Sequence, residues 1–522
     1  LNNETKVSGG DIDDRNLREP DHPVTKRAEF VYSERSSGLI RAMKLPLKSL
    51  FAFTIALVLV GASHAADKPN VVFILVDDLG WTDLSSYGSD LYETPHVDRL
   101  ADQGMRFTSA YAACTVCSPT RASIMTGQYP ATLHITDWIT GHLKPHGKMA
   151  IPGWTKFLSP DAYTLADALH DAGYRTAHLG KWHLGETEEY WPENQGFDIN
   201  LGGWKVGQPQ RGETARGYFS PYGNPRLDDG PDGEYLTERL ANEAAAFIEE
   251  NQDRPFFLNL WFYNVHTPLQ AAADKIAKYE AKVFPDARHR SAVYAAMVEH
   301  MDDAVGKVMA TLERLGLAEN TIVVFTSDNG GLVDNRGKDT VTQNAPLRSG
   351  KGDAYEGGVR VPLIVRYPGQ IPAGTRSSEL AISPDFYPTL LALTGVTPEV
   401  AVDFDGADLT PVLTGAAEST GRDAVFFHYP HYHTEGATPY SAIRKGQWKL
   451  LQFYEGNRVE LYHLARDPGE TMNLADSEPK KRDELFSDLS AWKEKTGAQL
   501  PTLNADYSPE LEHTFRIGAP IR

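Results

Sequence analysis

Three short apolar runs organise the chain, and each breaks off into polar residues. Asn70–Val76 (NVVFILV) runs into Asp77-Asp78, Phe256–Tyr263 (FFLNLWFY) into Asn264-Val265-His266, and Thr321–Thr326 (TIVVFT) into Ser327-Asp328-Asn329-Gly330. They are rich in β-branched and aromatic residues and do not alternate with polar ones, which predicts strands covered on both faces. Between them the spacing turns helical: Leu236, Leu240, Ala244 and Ile248 recur at four-residue steps, and Met301, Val305, Val308, Leu312 and Leu315 follow the same rule later. Strands alternating with helices predict an α/β domain on a largely parallel sheet, whose ligands bind beyond the carboxyl ends of the strands. Asp77, Asp78, His266, Asp328 and Asn329 all fall at that edge.

From about residue 420 the pattern changes. Short β-like stretches (Ala424–His428, Ser441–Arg444, Trp448–Phe453, Val459–His463) precede an amphipathic segment, Lys481–Lys493. This predicts a smaller α+β domain over residues 419–522, an antiparallel sheet with a helix, behind the larger α/β domain over 67–418. The tail after Pro501 has little pattern. At the other end, residues 43–66 (MKLPLKSLFAFTIALVLVGASHAA) carry a basic start, a short apolar core and a small-x-small cleavage signal. They read as a signal peptide, too short in its apolar core to span a membrane. The expectation is an exported protein, periplasmic or secreted, without a membrane anchor. Residues 1–42 are polar and aperiodic and are expected to be translated upstream sequence, with Met43 the start.

Length and charge narrow the partners. At 522 residues the chain exceeds one ordinary core. Its formal net charge of −19 repels nucleic acid and anionic surfaces at long range, so any site for an anion must be a local cationic pocket. Only Cys114 and Cys117 occur, which excludes a disulfide framework. One C-x-x-C alone fits a redox pair or half a zinc site. Asp77, Asp78, Asp328 and Asn329 at two strand ends form an all-oxygen set that suits Ca²⁺ or Mg²⁺ better than zinc.

Residues 117–127 read Cys-Ser-Pro-Thr-Arg-Ala-Ser-Ile-Met-Thr-Gly. This resembles the C-x-P-x-R signature of the formylglycine-dependent, arylsulfatase-like sulfatases. The resemblance extends in order through Asp77-Asp78-Leu79-Gly80, Gly180-Lys181-Trp182-His183-Leu184-Gly185, Asn264-Val265-His266-Thr267-Pro268, Ser327-Asp328-Asn329-Gly330-Gly331 and the glycine-rich stretch from Gly350-Lys351-Gly352 to Pro362. The stretch from Glu460-Leu461-Tyr462 to Asn473-Leu474 is also similar to the family.

The resemblance implies an alkaline-phosphatase-like α/β fold with a smaller C-terminal domain, and hydrolysis of sulfate esters; export without a membrane anchor suits sulfated carbohydrates as the substrates. It implies that a maturation enzyme oxidises Cys117 to formylglycine, and that one Ca²⁺ is held by Asp77, Asp78, Asp328, Asn329 and residue 117. One hydroxyl of the hydrated aldehyde would attack sulfur, and proton loss from the other would expel sulfate, where a serine would stay esterified. Arg121 would orient residue 117, Lys181 and Lys351 would bind sulfate oxygens, His266 would protonate the leaving oxygen, and His183 would take the proton that releases sulfate. Beyond the sulfate, His428-Tyr429-Pro430-His431-Tyr432-His433 is read as a substrate subsite through His431, with His134–His146 a second candidate. Two other readings stay open: a formylglycine phosphonate or phosphate ester hydrolase, and a non-catalytic protein that binds sulfated glycans with Cys117 unmodified.

Overall fold

A computed structural model describes residues 68–334 and 340–518. The expected upstream extension and signal peptide lie outside the described residues. Eight strands build the main sheet: β1 (Asn70–Val76), β2 (Met105–Phe107), β3 (Arg175–Gly180), β4 (Ile199–Leu201), β5 (Phe256–Trp261), β6 (Thr321–Ser327), β7 (Leu363–Arg366) and β8 (Thr375–Ser377). Their order is β8-β2-β7-β6-β1-β5-β3-β4. Only β7 runs against the others.

The unbroken apolar runs have a direct cause. Val72, Ile74 and Val76 of β1 face one core with helices α4 (Leu236–Glu250) and α5 (Ala292–Arg314). Val71, Phe73 and Leu75 face a second core with α2 (Cys117–Thr126), α3 (Leu165–Asp171) and α6 (Phe386–Thr394). A remaining helix, α1 (Pro95–Gln103), packs beside α5 in the first core. Each residue of β1 therefore buries its side chain whichever way it points. The first helical pattern read from the sequence lies on α4 and the second on α5 with Leu315 as its C-cap; α5 extends upstream to Ser291, whose hydroxyl accepts the Tyr294 N–H at 3.2 Å as an N-cap.

The C-terminal sheet is a four-stranded antiparallel meander: β9 (Ala424–Tyr429), β10 (Tyr440–Lys445), β11 (Trp448–Phe453) and β12 (Arg458–His463). Helix α7 (Pro479–Lys495) covers it, Trp492 stacking on Phe426 with ring centroids 4.9 Å apart. The boundary expected between residues 418 and 419 falls just ahead of β9. Across it runs a third core, in which Tyr111, Cys114, Val116 and Tyr129 pack against β9–β12. Lys449 of β11 is fully buried between Glu356 and Glu470 at 3.1 and 3.0 Å, an ion cluster that ties β11 to the helical turn at Glu356 and to the loop after β12. The tail that lacks pattern forms two strand pairs of two residues each, Thr502–Leu503 with Met149–Ala150 and Arg516–Ile517 with His142–Leu143. No helix among the described residues is long and apolar enough to cross a membrane.

Candidate active site

The carboxyl ends of β1, β3, β5 and β6 meet the start of α2. All ten residues of α2 are buried although half of them are polar, and Ser118, Thr120 and Arg121 bond to the surrounding loops. Pro119 sits in the first turn, where its missing N–H is no loss, and Gly127 closes the helix in the left-handed conformation (φ 70°). Cys117 is the first helical residue, so the positive end of the helix lies at its side chain. Arg121, one turn on, shares its face. The Ser118 hydroxyl donates to His183 O at 2.8 Å and accepts from Ile139 N–H at 3.1 Å, binding two cleft loops to the helix start.

Three carboxylates and three cations interlock beneath Cys117. Arg121 Nε donates to Asp328 Oδ2 at 2.9 Å and its Nη1 to Lys181 O at 2.8 Å, while the guanidinium lies over the Trp261 ring. Lys181 Nζ reaches Asp77 Oδ2 at 2.7 Å, and Lys351 Nζ reaches Asp78 Oδ2 at 2.8 Å. Asn329 Nδ2 donates to Asp78 Oδ1 at 2.8 Å. Lys181 can turn out of β3 because Gly180 has φ 102°; a Cβ there would stand 2.0 Å from Trp261 O.

The electrostatics follow from burial and this pairing. Burial raises Asp77 well above the usual carboxylate range; Asp328 and Asp78 add to this, and Lys181 and Arg121 offset only part of it. Burial also opposes ionisation of Asp328, but Arg121 and Lys181 outweigh it and hold the carboxyl below its usual range. For Lys351 burial disfavours the charge, yet Asp78 carries the ammonium well above its usual range. Burial pushes the Cys117 thiol up.

Two histidines flank the cluster, both neutral. His266 Nδ1 donates to Thr267 O at 2.8 Å, which leaves Nε2 facing Asp78 Oδ2 at 3.6 Å; burial and Lys351 bring the ring down to about 3. His183 Nε2 donates to Ile139 O, so Nδ1 keeps its lone pair, buried and without a partner. Burial and Lys181 hold this ring well below its ordinary value. Gly207 lies flat on it: a Cβ at 207 would be 2.4 Å from Cε1. Asp78 and His183 both have φ 63°, a left-handed conformation that costs a non-glycine residue energy and persists where its surroundings over-determine it.

The residues fit a hard cation. Asp77 Oδ1 and Asn329 Oδ1 are buried with no hydrogen-bond partner, and Asp77, Asp328 and Cys117 each present an atom within 4.8 Å of the others. Unpartnered oxygens among crowded carboxylates are a donor set that Ca²⁺ or Mg²⁺ satisfies.

Above this floor opens a cleft of about 600 Å³, lined among others by Cys117, Trp138, His142, Lys351 and His433. Its histidine wall corrects one expectation. His431 is fully buried, its Nε2 on Thr136 Oγ1 at 2.7 Å, and it does not line the cleft. His428 is likewise taken up, by Ser441 Oγ and Gln499 O. His433 lines the cleft instead, with Trp138, Ile139 and His142 from the second candidate segment. Ser118, Gly207, Lys205 and Ile517 were not legible as site residues; only Ser118 stands inside one of the motifs.

Comparison with known proteins bears on this geometry. The sulfatase family model matches residues 69–396, and a model for the C-terminal part of N-sulphoglucosamine sulphohydrolase matches 350–495. The chain is similar to a sulfatase of Formosa agariphila, 35% identical over 83% of this chain and 90% of that one. It is similar to human arylsulfatase A, 32% identical over 81% and 86%. The crystal structure of Ps i-CgsB in complex with k-i-k-neocarrahexaose superposes with a TM-score of 0.67 at 30% identity, covering 82% of this chain and 93% of that one. A strand-end cluster of carboxylates, lysines and histidines around Cys117, on an alkaline-phosphatase-like fold, thus comes with a family match over most of the chain: it belongs to the sulfatase family and is a sulfuric ester hydrolase.

Proposed function

We propose that this enzyme is exported and hydrolyses sulfate esters of carbohydrates, with Cys117 matured to formylglycine and one Ca²⁺ held by Asp77, Asp78, Asp328, Asn329 and residue 117. The observation that carries the reading is the convergence of Cys117, Arg121, Lys181, His183, His266 and Lys351 on one carboxylate-rich floor. When present, the formylglycine would supply a nucleophilic oxygen and the cation would draw charge from it. The chain's own residues do the rest. A dication on the carboxylates would release the two lysine ammonium groups to the sulfate oxygens, where charge grows. Arg121 keeps Asp328 and the start of α2 in register. Nε2 of His266 faces the cluster and can hand a proton to the leaving oxygen. Nδ1 of His183, fixed as an acceptor by the Ile139 carbonyl, can receive the proton whose loss releases sulfate. A carbohydrate substrate is supported by the cleft's size, which suits a ligand well beyond one sulfate group, and by the bound oligosaccharide of the structural relative.

Cys117 is only 3% exposed at the bottom of the cleft, so its oxidation is expected before the chain closes around it. The tryptic peptide 107–121 of protein from its native host is therefore expected to carry formylglycine at 117. A free thiol, or a bridge to Cys114, would leave a non-catalytic glycan-binding protein. Parallel assays on sulfate, phosphate and phosphonate esters are expected to favour sulfate; a phosphonate preference would return the alternative hydrolase.

The ion has a readout independent of turnover. Stripping it with a chelator is expected to lower the melting temperature, and free Ca²⁺ at a hundredfold excess over Kd to restore about 2.7 kcal/mol. Asp328→Ala should melt alike with and without Ca²⁺. A wild-type melting curve indifferent to chelator and Ca²⁺ would remove the ion from the reading.

A further inference from the structure

We infer that the C-terminal tail, residues 502–518, is the outer wall of the cleft and selects sulfated saccharides longer than one ring, an inference that rests on the proposed carbohydrate sulfatase activity. The tail is fastened in place. Beyond its two strand pairs, Asn504 Nδ2 donates to Pro145 O and Gly147 O at 2.9 and 2.7 Å, and Gly518 N–H to Gly141 O at 2.8 Å. Every one of these partners lies between residues 141 and 150, the segment that follows the cleft residues Trp138 and Ile139.

A row of rings connects the floor to this tail. Trp138 lies 6.2 Å from His183 and 5.0 Å from His142, and His142 lies 4.8 Å from His433 and 6.0 Å from Phe515 of the tail. Ile517, two residues beyond Phe515, lines the same cleft while 69% exposed, whereas Cys117 on the floor is 3% exposed. The sulfate is thus anchored deep, and the tail stands at the mouth. Apolar surface is exposed along this end of the chain: of the eight large hydrophobic residues most exposed among those described, five (Leu500, Leu503, Tyr507, Leu511 and Ile517) belong to it, and Ile517 is the one that lines the cleft.

A sugar ring has apolar C–H faces and a polar rim. Rings of Trp138 and His142 and the Ile517 side chain offer faces to the former, with Phe515 supporting His142 from the tail, while His433 and Lys205 offer polar groups to the latter. A small aryl sulfate is spent within the floor and gains nothing from Ile517. A second or third sugar must pass it.

The test compares Ile517→Ser, Phe515→Ala and a chain ending at Pro501 with the formylglycine-bearing wild type. The probes are 4-nitrophenyl sulfate, sulfated hexasaccharides prepared from carrageenan, fucan, chondroitin and heparin, and the matching sulfated monosaccharides. Wild type is expected to favour one hexasaccharide class over its monosaccharide. Each variant should raise KM for that hexasaccharide by about threefold to tenfold, the loss of one partly buried apolar contact, with 4-nitrophenyl sulfate kinetics unchanged. Ile517 is exposed, so its variant remains informative if the shortened chain misfolds. No preference for a hexasaccharide in wild type, or equal changes on both substrates, overturns the inference. A matured wild type inactive on every sulfate ester overturns the underlying carbohydrate sulfatase reading instead.

Discussion

Replacing Cys117 with serine is expected to abolish turnover, lowering kcat on 4-nitrophenyl sulfate by about 10⁴-fold or more, while sulfate accumulates on the protein. The site around residue 117 argues for both halves of this result. Lys181, Lys351 and the start of α2 surround the side chain with positive charge, so a serine there still meets a bound sulfate ester. Its hydroxyl can attack sulfur once, but a serine carbon has no second oxygen through which to expel the product. The prediction separates two roles that loss of activity alone would merge. Peptide 107–121 of C117S should gain the mass of a sulfate group after incubation with substrate, whereas Cys117→Ala should be equally inactive and gain nothing. An unmodified serine with substrate still bound would mean that the cluster binds sulfate without delivering a nucleophile.

Much of this site was written in the sequence because its residues adjoin the strongest local signals. Asp77, Asp328 and Asn329 directly follow apolar runs, and a run buried on both faces must place its first polar residues at the sheet edge. Where a strand lacks that signal, it stayed hidden. β3 (RTAHLG) is six residues with a threonine and a histidine, and His178 is tolerated only because Trp182, Trp261 and Phe197 enclose it and Asn259 donates to its Nδ1 at 3.1 Å. The substrate wall was less legible still. His431 and His433 follow β9 in an irregular segment, so no period says which of them faces the cleft. Thr136 takes the one and Glu435 and the cleft the other. Ile517 reaches the site through a strand pair of two residues, formed with a segment more than three hundred residues earlier, and no local pattern encodes such a contact.

His266→Ala is expected to divide substrates by their leaving groups. For a sugar sulfate, whose leaving oxygen is a poor alkoxide, kcat should fall by about 10² to 10⁴, the ordinary contribution of a positioned general acid. For 4-nitrophenyl sulfate, whose phenolate departs without protonation, the loss should be far smaller. The hydrogen bond from Nδ1 to Thr267 O at 2.8 Å dictates this reading, since it leaves Nε2 as the only ring nitrogen able to exchange a proton with the cluster. Burial and the Lys351 ammonium bring the ring down to about 3, so the resting enzyme holds it neutral throughout the physiological range. A sulfate ester brings negative charge against the same nitrogen and counters Lys351, which raises the ring's affinity for a proton. The acid is then charged chiefly when substrate is present. Plotted against leaving-group basicity, log kcat should therefore be steeper for H266A than for wild type. Parallel lines, with both substrates slowed alike, would reduce His266 to a positioning group and pass proton delivery to Lys351, whose Nζ already lies 2.8 Å from Asp78 in the same cleft.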